Sequence, residues 1–255
     1  MQFSNQVAVI TGGASGMGAE TAKQLTQAGM RVAILDRNLA QEKQTAQLIN
    51  GIAITCDVTN SSDVTQAFAQ IEAELGVPRV CVNCAGICPG QLIVGKDGSP
   101  LPLEDFTPTI QVNLIGTFNV LRVAAARMAT LPPIGDSEER GVIINTASVA
   151  AFEGQIGQIA YSASKGGVVA MTLPAARELA RFGIRVMAIA PGLIETPMLR
   201  GLPDKVRDNL AASVPFPKRF GSPAEYAKLV LHIVENPMLN GSVIRLDGAL
   251  RMAPK

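Results

Sequence analysis

The stretch VAVITGGASGMG, residues 7–18, joins a short apolar run to a glycine-rich turn, and a helix-like segment follows. Gly12, Gly16 and Gly18 form the pattern T-G-x-x-x-G-x-G, whose spacing differs from the G-x-G-x-x-G of many dinucleotide folds. Such a turn lets the backbone approach a pyrophosphate without an intervening Cβ, and the helix N-terminus points free N–H groups at the anion. We therefore predict a nucleotide-binding turn, with a turn that merely connects two elements as the alternative. The predicted contacts are Gly12, Ser15, Gly16, Met17 and Gly18.

Outward from this turn, short apolar runs alternate with helix-like segments along the chain. The runs are Val7–Thr11, Arg31–Leu35, Ile52–Cys56, Arg79–Val82, Gly141–Thr146, Ile184–Ala190 and Ser242–Leu246. The helix-like segments are Gly16–Ala28, Leu39–Ile49, Ser62–Leu75, Leu103–Ala129, Ala160–Arg181 and Pro223–Val234. Near-continuous apolar strands, each followed by a helix, indicate a parallel sheet that is buried on both faces. The sequence thus predicts one α/β domain over residues 1–255, a doubly wound Rossmann fold with seven parallel strands and helices on both faces.

Three segments read as irregular: Cys88–Pro102, Leu131–Glu139 and Thr196–Phe220. Ligands of doubly wound folds lie beyond the carboxyl ends of the strands. The third segment directly follows such an end, so we predict a substrate lid at about residues 195–220. Apolar and basic residues in this segment would suit an acyl group and the phosphates of CoA, but an ordinary amphipathic helical flap with solvated charges fits as well.

Composition sets outer limits on function. The chain has 255 residues, of which 47% are hydrophobic and 17% charged, so it can bury a large core. Its 22 Lys and Arg against 21 Asp and Glu give a net charge of +1. This balance gives no electrostatic reason to bind nucleic acid or an anionic membrane. With no apolar stretch of roughly 18 residues and no basic signal-like start, we expect a cytoplasmic protein.

The four cysteines include a C-x-x-C, Cys81 and Cys84, which could suggest a metal site. Zinc sites need four N or S ligands, and the single histidine, His232, lies far away in a helix-like segment. Because the cysteines sit at a strand end, where small buried side chains are expected, we predict no metal.

The second strand ends at Asp36, eighteen residues past Gly18. A carboxylate there accepts hydrogen bonds from the adenosine ribose and repels a 2′-phosphate, which favours NAD over NADP. Arg37 follows directly and could pair with a phosphate, and Asp36 could instead cap the next helix. Asp57, after the third strand, could accept a hydrogen bond from the adenine amino group.

Three polar side chains suggest catalysis of hydrogen transfer. Ser148 ends the fifth strand, and Tyr161 and Lys165 follow at i, i+4 in a helix-like segment, so their side chains share a face. A nearby ammonium and a positively charged nicotinamide would lower the tyrosine pKa from about 10 toward the range of a general base. Ser148 would polarise the substrate oxygen. The alternative is a helix-surface pair with Ser148 as a cap.

Together these motifs resemble the short-chain dehydrogenase/reductase family along the whole chain. The matching pieces are Thr11–Gly18, Asp57-Val58, Asn83-Cys-Ala-Gly86, Asn113, Ser148, Tyr161-x-x-x-Lys165 and Pro191-Gly192 with Thr196. The resemblance implies strand order 3-2-1-4-5-6-7 and a homotetramer, with the Tyr161 helix near a subunit interface. It also implies that Asn113 assists proton transfer to Lys165 and that Thr196 contacts the nicotinamide carboxamide. The further cofactor contacts are Asp57, Val58, Asn83, Ala85, Gly86, Tyr161, Lys165, Pro191, Ile194 and Thr196.

Residues 141–155 and 160–167 and the tail 244–249 resemble one branch of that family, the type 2 3-hydroxyacyl-CoA dehydrogenases, also called type 10 17β-hydroxysteroid dehydrogenases. The resemblance implies interconversion of a 3-hydroxyacyl-CoA and a 3-ketoacyl-CoA with NAD, Tyr161 being the acid/base. Ser148, Gln155 and Tyr161 would contact the substrate, although Gln155 could equally be a surface turn residue. Two alternatives are another secondary-alcohol or ketone oxidoreductase, such as a steroid dehydrogenase or a 3-oxoacyl-carrier reductase, and a non-catalytic scaffold.

Overall fold

The computed structural model describes residues 1–38, 45, 47, 49, 51–196, 199 and 203–254. Seven strands form one parallel sheet: β1 Val7–Thr11, β2 Arg31–Asp36, β3 Ile52–Thr55, β4 Val80–Asn83, β5 Gly141–Thr146, β6 Ile184–Pro191 and β7 Val243–Leu246. They pair in the order β3-β2-β1-β4-β5-β6-β7, which confirms the predicted order. The chain reverses direction along the sheet between β1 and β4, the position where doubly wound folds bind their ligands.

The sheet is buried on both faces because its central strands carry apolar side chains at nearly every position. All five residues of β1 are buried, and alternate side chains point to opposite faces. Val7 and Val9 belong to one apolar cluster with Phe68, whereas Ala8 and Ile10 belong to another with Leu25. These two cores confirm the prediction of helices on both faces.

Seven α-helices are described: α1 Gly16–Gln27, α2 Ser61–Glu74, α3 Leu103–Ile110, α4 Thr117–Met128, α5 Ile159–Leu179, α6 Asp204–Ala212 and α7 Pro223–Glu235. A π-helical segment, Gln111–Gly116, joins α3 to α4, and 3₁₀ turns occupy Val149–Ala151 and Ala180–Phe182. The sequence encodes some of these boundaries: Ser222 and Glu225 form a capping box at the start of α7. None of the helices in these residues is long and apolar enough to cross a membrane.

Two sequence expectations need correction. The predicted helix Leu103–Ala129 is interrupted by the π segment, and the lid segment Thr196–Phe220, predicted to be irregular, contains α6. Pro203 precedes α6 and Asp204 stands in its first turn, where an acidic side chain is favourable, but the helix buries none of its residues. Val206 and Leu210 stand four residues apart on α6 and border one cavity, so α6 agrees with the alternative of an amphipathic helical flap. The predicted helix Leu39–Ile49 lies largely outside the described residues.

Candidate active site

The glycine-rich turn places the N-terminus of α1 beside the carboxyl ends of β1 and β4. Gly12 and Gly16 have φ of +64° and +54°, a backbone conformation that other residues rarely adopt. A Cβ on Gly12 would lie 2.8 Å from the nitrogen of Ala85, and one on Gly18 would collide with the Gly12 carbonyl oxygen. Ser15 precedes α1, but its side chain makes no capping hydrogen bond. The first N–H groups of the helix therefore keep the capacity to bind an anion that the sequence predicted.

Asp36, at the end of β2, lies against the same turn. One oxygen of its carboxylate accepts a hydrogen bond from the nitrogen of Ala14 at 3.1 Å, and the other from the nitrogen of Asn38 at 3.1 Å. The second bond closes a turn of three residues after β2, whereas the first ties the carboxylate to the glycine turn. The helix that Asp36 was predicted to cap lies largely outside the described residues.

Arg37 has a partner within the chain. Its guanidinium lies 3.7 Å from one carboxylate oxygen of Asp57. The other oxygen of Asp57 accepts hydrogen bonds from the backbone nitrogen and the hydroxyl of Thr59. Burial raises the pKa of Asp57, but the bonds from Thr59 and the charge of Arg37 outweigh it, so the pKa is lowered overall. The adjacent Val58 is buried and packs against Gly116 of the π segment. Arg37 is therefore partly neutralised beside the predicted adenosine end.

Asn83, the last residue of β4, ties strand ends together. Its amide donates to the side-chain oxygen of Asn145 on β5 at 2.9 Å, and the Thr11 hydroxyl accepts a hydrogen bond from the nitrogen of Ala85 at 3.2 Å. Asn83 is buried, and neither it nor Ala85 lines the large cavity described below. Gly86, which follows, does line it. These residues shape the floor of the site by holding neighbouring strands in register.

The structure brings Ser148, Tyr161 and Lys165 together at the carboxyl end of β5. The Lys165 ammonium donates to the carbonyl of Thr146 at 2.7 Å and lies 5.7 Å from the centre of the Tyr161 ring. Ser148 lies close enough to Tyr161 to oppose the rise of its pKa, and the Ser148 hydroxyl oxygen accepts from the nitrogen of Ala150 at 3.1 Å. Because Lys165 is buried, Tyr161 and Lys165 are not a helix-surface pair.

The electrostatics of this pair differ from the sequence expectation. Burial raises the pKa of Tyr161 to about 12, although Ser148 opposes the rise. Burial also lowers the pKa of Lys165 to about 8, with the neighbouring Cys84 and Cys88 thiols acting in the opposite sense. The chain alone does not lower the tyrosine pKa, because desolvation disfavours phenolate more than its neighbours stabilise it.

Asn113 lies in the π segment, and its side chain is fully engaged. Its amide oxygen accepts from the nitrogen of Ile87 at 2.8 Å, while its nitrogen donates to the Ile87 carbonyl at 2.8 Å and to the Ser164 hydroxyl at 3.0 Å. Ser164 in turn donates to the carbonyl of Tyr161 at 2.7 Å. The wider π turn, a feature frequent at functional sites, thus links Asn113 to the helix that carries Tyr161 and Lys165.

One cavity of about 540 Å³ joins the glycine turn to these side chains. The predicted site residues along its wall are Gly12, Ser15, Gly16, Met17, Gly18, Gly86, Ser148, Gln155, Tyr161, Lys165, Pro191, Ile194 and Thr196. Asp36, Asp57, Val58, Asn83, Ala85 and Asn113 lie outside that wall. Cavities of this size commonly hold small organic ligands.

Several lining residues were not predicted as site residues, among them Cys84, Thr146, Gln158 and Met252. Thr146 and Cys84 belong to a buried cluster with Tyr226 of α7, whose hydroxyl lies 2.7 Å from that of Thr146. The position of Thr146 at the end of β5 could have indicated it, since ligands gather at such ends. Met252 carries no such signal, because only the tertiary fold brings the C-terminus here.

Of the lid, Leu199 and Leu210 reach the cavity, while Met198, Arg200 and Leu202 lie outside the described residues. Gln155 also lines the cavity, and its side-chain nitrogen donates to the carbonyl of Ala253 at 3.1 Å. Among the residues that the structure describes, no three or more His, Cys, Asp or Glu side chains are grouped so as to hold a metal ion.

The fold and the cavity together define a Rossmann-type site, with the glycine-rich turn at one end and Ser148, Tyr161 and Lys165 at the other. A family model described as short chain dehydrogenase matches residues 6–207. The protein therefore belongs to the short chain dehydrogenase family and is a dehydrogenase.

Named relatives cover nearly the whole chain. The human protein named 3-hydroxyacyl-CoA dehydrogenase type-2 is 55% identical over 251 residues, covering 97% of this chain and 96% of its own. The protein of the same name from Drosophila melanogaster is 49% identical over 255 residues, covering 99% of this chain and 100% of its own. The crystal structure of 3-hydroxyacyl-CoA dehydrogenase type-2 from Mycobacterium avium superposes with a TM-score of 0.93 at 40% identity, covering 100% of both chains.

Proposed function

We propose that this enzyme interconverts 3-hydroxyacyl-CoA and 3-ketoacyl-CoA with NAD as its redox partner. The observation that carries the proposal is the cavity in which Ser148, Tyr161 and Lys165 face the glycine turn. The substrate class is supported by the 55% identity to a human relative named for it.

The residues fit a dinucleotide. The uncapped N-terminus of α1 suits a pyrophosphate, and the Asp36 carboxylate lies against the same turn, where it would accept from ribose hydroxyls. At the other end, Thr196 and Ile194 line the cavity beside the catalytic side chains. NAD, when bound, supplies the acceptor for a hydride.

The chain's own residues handle the proton. In the oxidation direction, the Tyr161 hydroxyl oxygen, once ionised, takes the proton of the substrate hydroxyl, and Ser148 donates a hydrogen bond to the same oxygen. Lys165, anchored on the Thr146 carbonyl, holds a positive charge 5.7 Å from the ring and stabilises the phenolate. In the reduction direction, the Tyr161 hydroxyl donates its proton to the ketone oxygen of the substrate.

Turnover of acetoacetyl-CoA tests the proposal directly. Absorbance at 340 nm is followed with NADH and then with NADPH, and a steroid ketone is run in parallel. We expect fast NADH oxidation on the CoA substrate and slower oxidation of NADPH. No turnover with acetoacetyl-CoA but turnover of the steroid ketone would overturn the substrate class and leave the catalytic residues in place.

Cofactor choice has its own test at Asp36. Asp36→Ala removes the carboxylate, and we expect about tenfold weaker NADH binding and a narrower preference over NADPH. Because Asp36 also holds the nitrogens of Ala14 and Asn38, Asp36→Asn is the matched variant that keeps an acceptor oxygen but loses the charge. NADH affinity equal to wild type in both variants would show that the ribose is held elsewhere.

A further inference from the structure

The C-terminal tail, residues 250–254, crosses the loop 152–158 that leads from the Ser148 turn into α5. The nitrogen of Ile156 donates to the carbonyl of Pro254 at 2.9 Å, and the side chain of Gln155 donates to the carbonyl of Ala253 at 3.1 Å. The tail is therefore attached to the same loop that positions the substrate end of the catalytic site.

Met252, in the middle of the tail, stands between two cavities. It lines the catalytic cavity of about 540 Å³ together with Ser148 and Tyr161. It also lines a second cavity of about 290 Å³ beyond the tail, which is bordered by Val206 and Leu210 of α6. Gln155 and Leu210 also line both cavities, so Met252 shares with them the partition that separates the two.

A cluster of four charged side chains, Glu153, Arg245, Asp247 and Arg251, holds the tail in this position. Arg245 contacts both carboxylate oxygens of Glu153 at 2.8 Å and an oxygen of Asp247 at 2.7 Å. Arg251 lies 3.3 Å from Asp247 and 3.5 Å from Glu153, and Arg245 also donates to the carbonyl of Leu250 at 2.9 Å. The cluster thus joins the loop, the end of β7 and the tail.

Geometry indicates that this cluster is stronger than an ordinary surface pair. Two parallel N–H···O bonds between a guanidinium and a carboxylate add direction and strength to the charge attraction, whereas isolated exposed pairs contribute little. Glu153 is the charged link to the loop: without its charge, Arg245 and Arg251 keep the anionic partner Asp247, which lies on their own side, and Arg245 keeps its contact with the ring of Phe152 at 5.3 Å.

We propose that Met252 limits the length of acyl chain that the catalytic cavity accepts, and that the Glu153–Arg245–Asp247–Arg251 cluster is the device that positions it. Met252 is a specificity residue, and Glu153 is a positioning residue that acts through the tail. The inference rests on the proposed function, since it assigns this wall of the cavity to the acyl group of the substrate.

The variants separate the wall from its support. Met252→Ala thins the partition, and Met252→Leu preserves its bulk. Glu153→Gln removes the charge of the positioning residue, and its matched control is Glu72→Gln, because Glu72 has the same exposed fraction, 25%, and pairs with Arg127 at 3.0 Å on another part of the surface. Arg251→Met, at an exposed position, is a second, milder disruption of the cluster should Glu153→Gln fail to fold.

Kinetics with acetoacetyl-CoA and 3-ketodecanoyl-CoA form the first readout. In Met252→Ala we expect kcat/KM for the long substrate to rise about tenfold relative to the short one, and in Met252→Leu we expect the wild-type ratio. In Glu153→Gln and Arg251→Met we expect KM to rise at least about threefold with kcat little changed, and in Glu72→Gln neither constant to move. Ratios and KM values equal to those of Glu72→Gln in all these variants would overturn the inference.

Hydrogen exchange of the Ile156 amide forms a second readout that needs no substrate. It should become faster in Glu153→Gln and in Arg251→Met but not in Glu72→Gln, because this amide is protected by the tail carbonyl. If wild-type enzyme turns over no CoA substrate, the proposed function fails. Unchanged exchange at Ile156 in both cluster variants would overturn the positioning role whatever the substrate.

Discussion

At the scale of single residues, the proposed acid/base pair consists of a partly buried tyrosine and a buried lysine. The protein holds the pKa of Tyr161 at about 12 and that of Lys165 at about 8, and burial is the largest cause of both shifts. Desolvation therefore works against the ionised tyrosine, and the positive charge of a bound oxidised nicotinamide would work for it. In the proposed mechanism, cofactor binding therefore favours the ionised form of Tyr161, which acts as the base.

Tyr161→Phe removes the hydroxyl that we propose exchanges a proton with the substrate. We expect kcat to fall by about 10²- to 10⁴-fold while NADH still binds, since the phenyl ring fills the same space. The rate at 340 nm and a separate NADH titration check both parts. The other tyrosine of the chain, Tyr226, is the matched control: Tyr226→Phe loses a buried bond to Thr146 but should keep turnover. Near-normal turnover in Tyr161→Phe would refute its role.

Lys165 makes the stability of the protein depend on pH in the alkaline range. Its pKa falls from 10.5 in the unfolded chain to about 8 in the fold, so between these values the unfolded state binds more protons. Stability from this group therefore rises with pH from about 8 to 10.5, and the cost of burying the charge is full below pH 8. The difference corresponds to about 3 kcal/mol.

The variant Lys165→Met lacks this titration. The free energy of unfolding of both proteins is measured in urea between about pH 7 and 10. We expect the value for wild type to rise relative to that for Lys165→Met as pH rises, by about 3 kcal/mol at most. Lys228→Met, at an exposed position on α7, is the control and should run parallel to wild type. A constant offset between wild type and Lys165→Met would mean that Lys165 is not desolvated as the structure indicates.

At the scale of elements, the sequence predicts strands and helices that have a regular local pattern, but it does not predict contacts between distant parts of the chain. The strand bounds Val7–Thr11 and Gly141–Thr146 agree with the structure, because buried parallel strands are marked by uninterrupted apolar residues. The helix Asp204–Ala212 lies in a segment read as irregular, and it agrees with the alternative of an amphipathic helical flap for that segment. That Ser148, Tyr161 and Lys165 lie in one cavity wall could be predicted, because Ser148 follows a strand and Tyr161 and Lys165 share a helix face. The role of Met252 in the cavity depends on contacts across the chain that no local pattern encodes.

The join between β1 and α1 is the element most sensitive to a single methyl group. In Gly18→Ala the new Cβ would collide with the carbonyl oxygen of Gly12, so the first turn of α1 must shift. We expect a loss of about 1–3 kcal/mol of stability and at least about tenfold weaker NADH binding. Chemical unfolding and NADH titration measure the two effects.

The matched control is Gly90→Ala, because a Cβ on Gly90 meets nothing within 4 Å and its φ is not positive. It should bind NADH as wild type does. Tight NADH binding in Gly18→Ala would contradict the assignment of this turn to the cofactor.

At the scale of the whole molecule, the helical region from α3 to α4 exposes several large apolar side chains. Ile115 of the π segment and Phe118 of α4 are 43% and 52% exposed, and Leu103 at the start of α3 is 74% exposed. Exposed apolar side chains grouped in this way commonly mark contacts between protein chains. The homotetramer implied by the family resemblance would cover such a surface, and this remains a prediction.

Sedimentation velocity of wild type and of Phe118→Glu tests this prediction. A glutamate placed in an apolar interface would have to be buried without a partner, which costs several kcal/mol, so we expect wild type to sediment as a tetramer and Phe118→Glu as a smaller species. Phe118→Leu, which keeps most of the apolar area, should keep the wild-type size, and circular dichroism should show the same helix content in all three. A monomeric wild type would refute the homotetramer. A tetrameric Phe118→Glu would instead place the subunit contacts on another face, because burying an unpaired carboxylate in an interface through α4 would destabilise the tetramer.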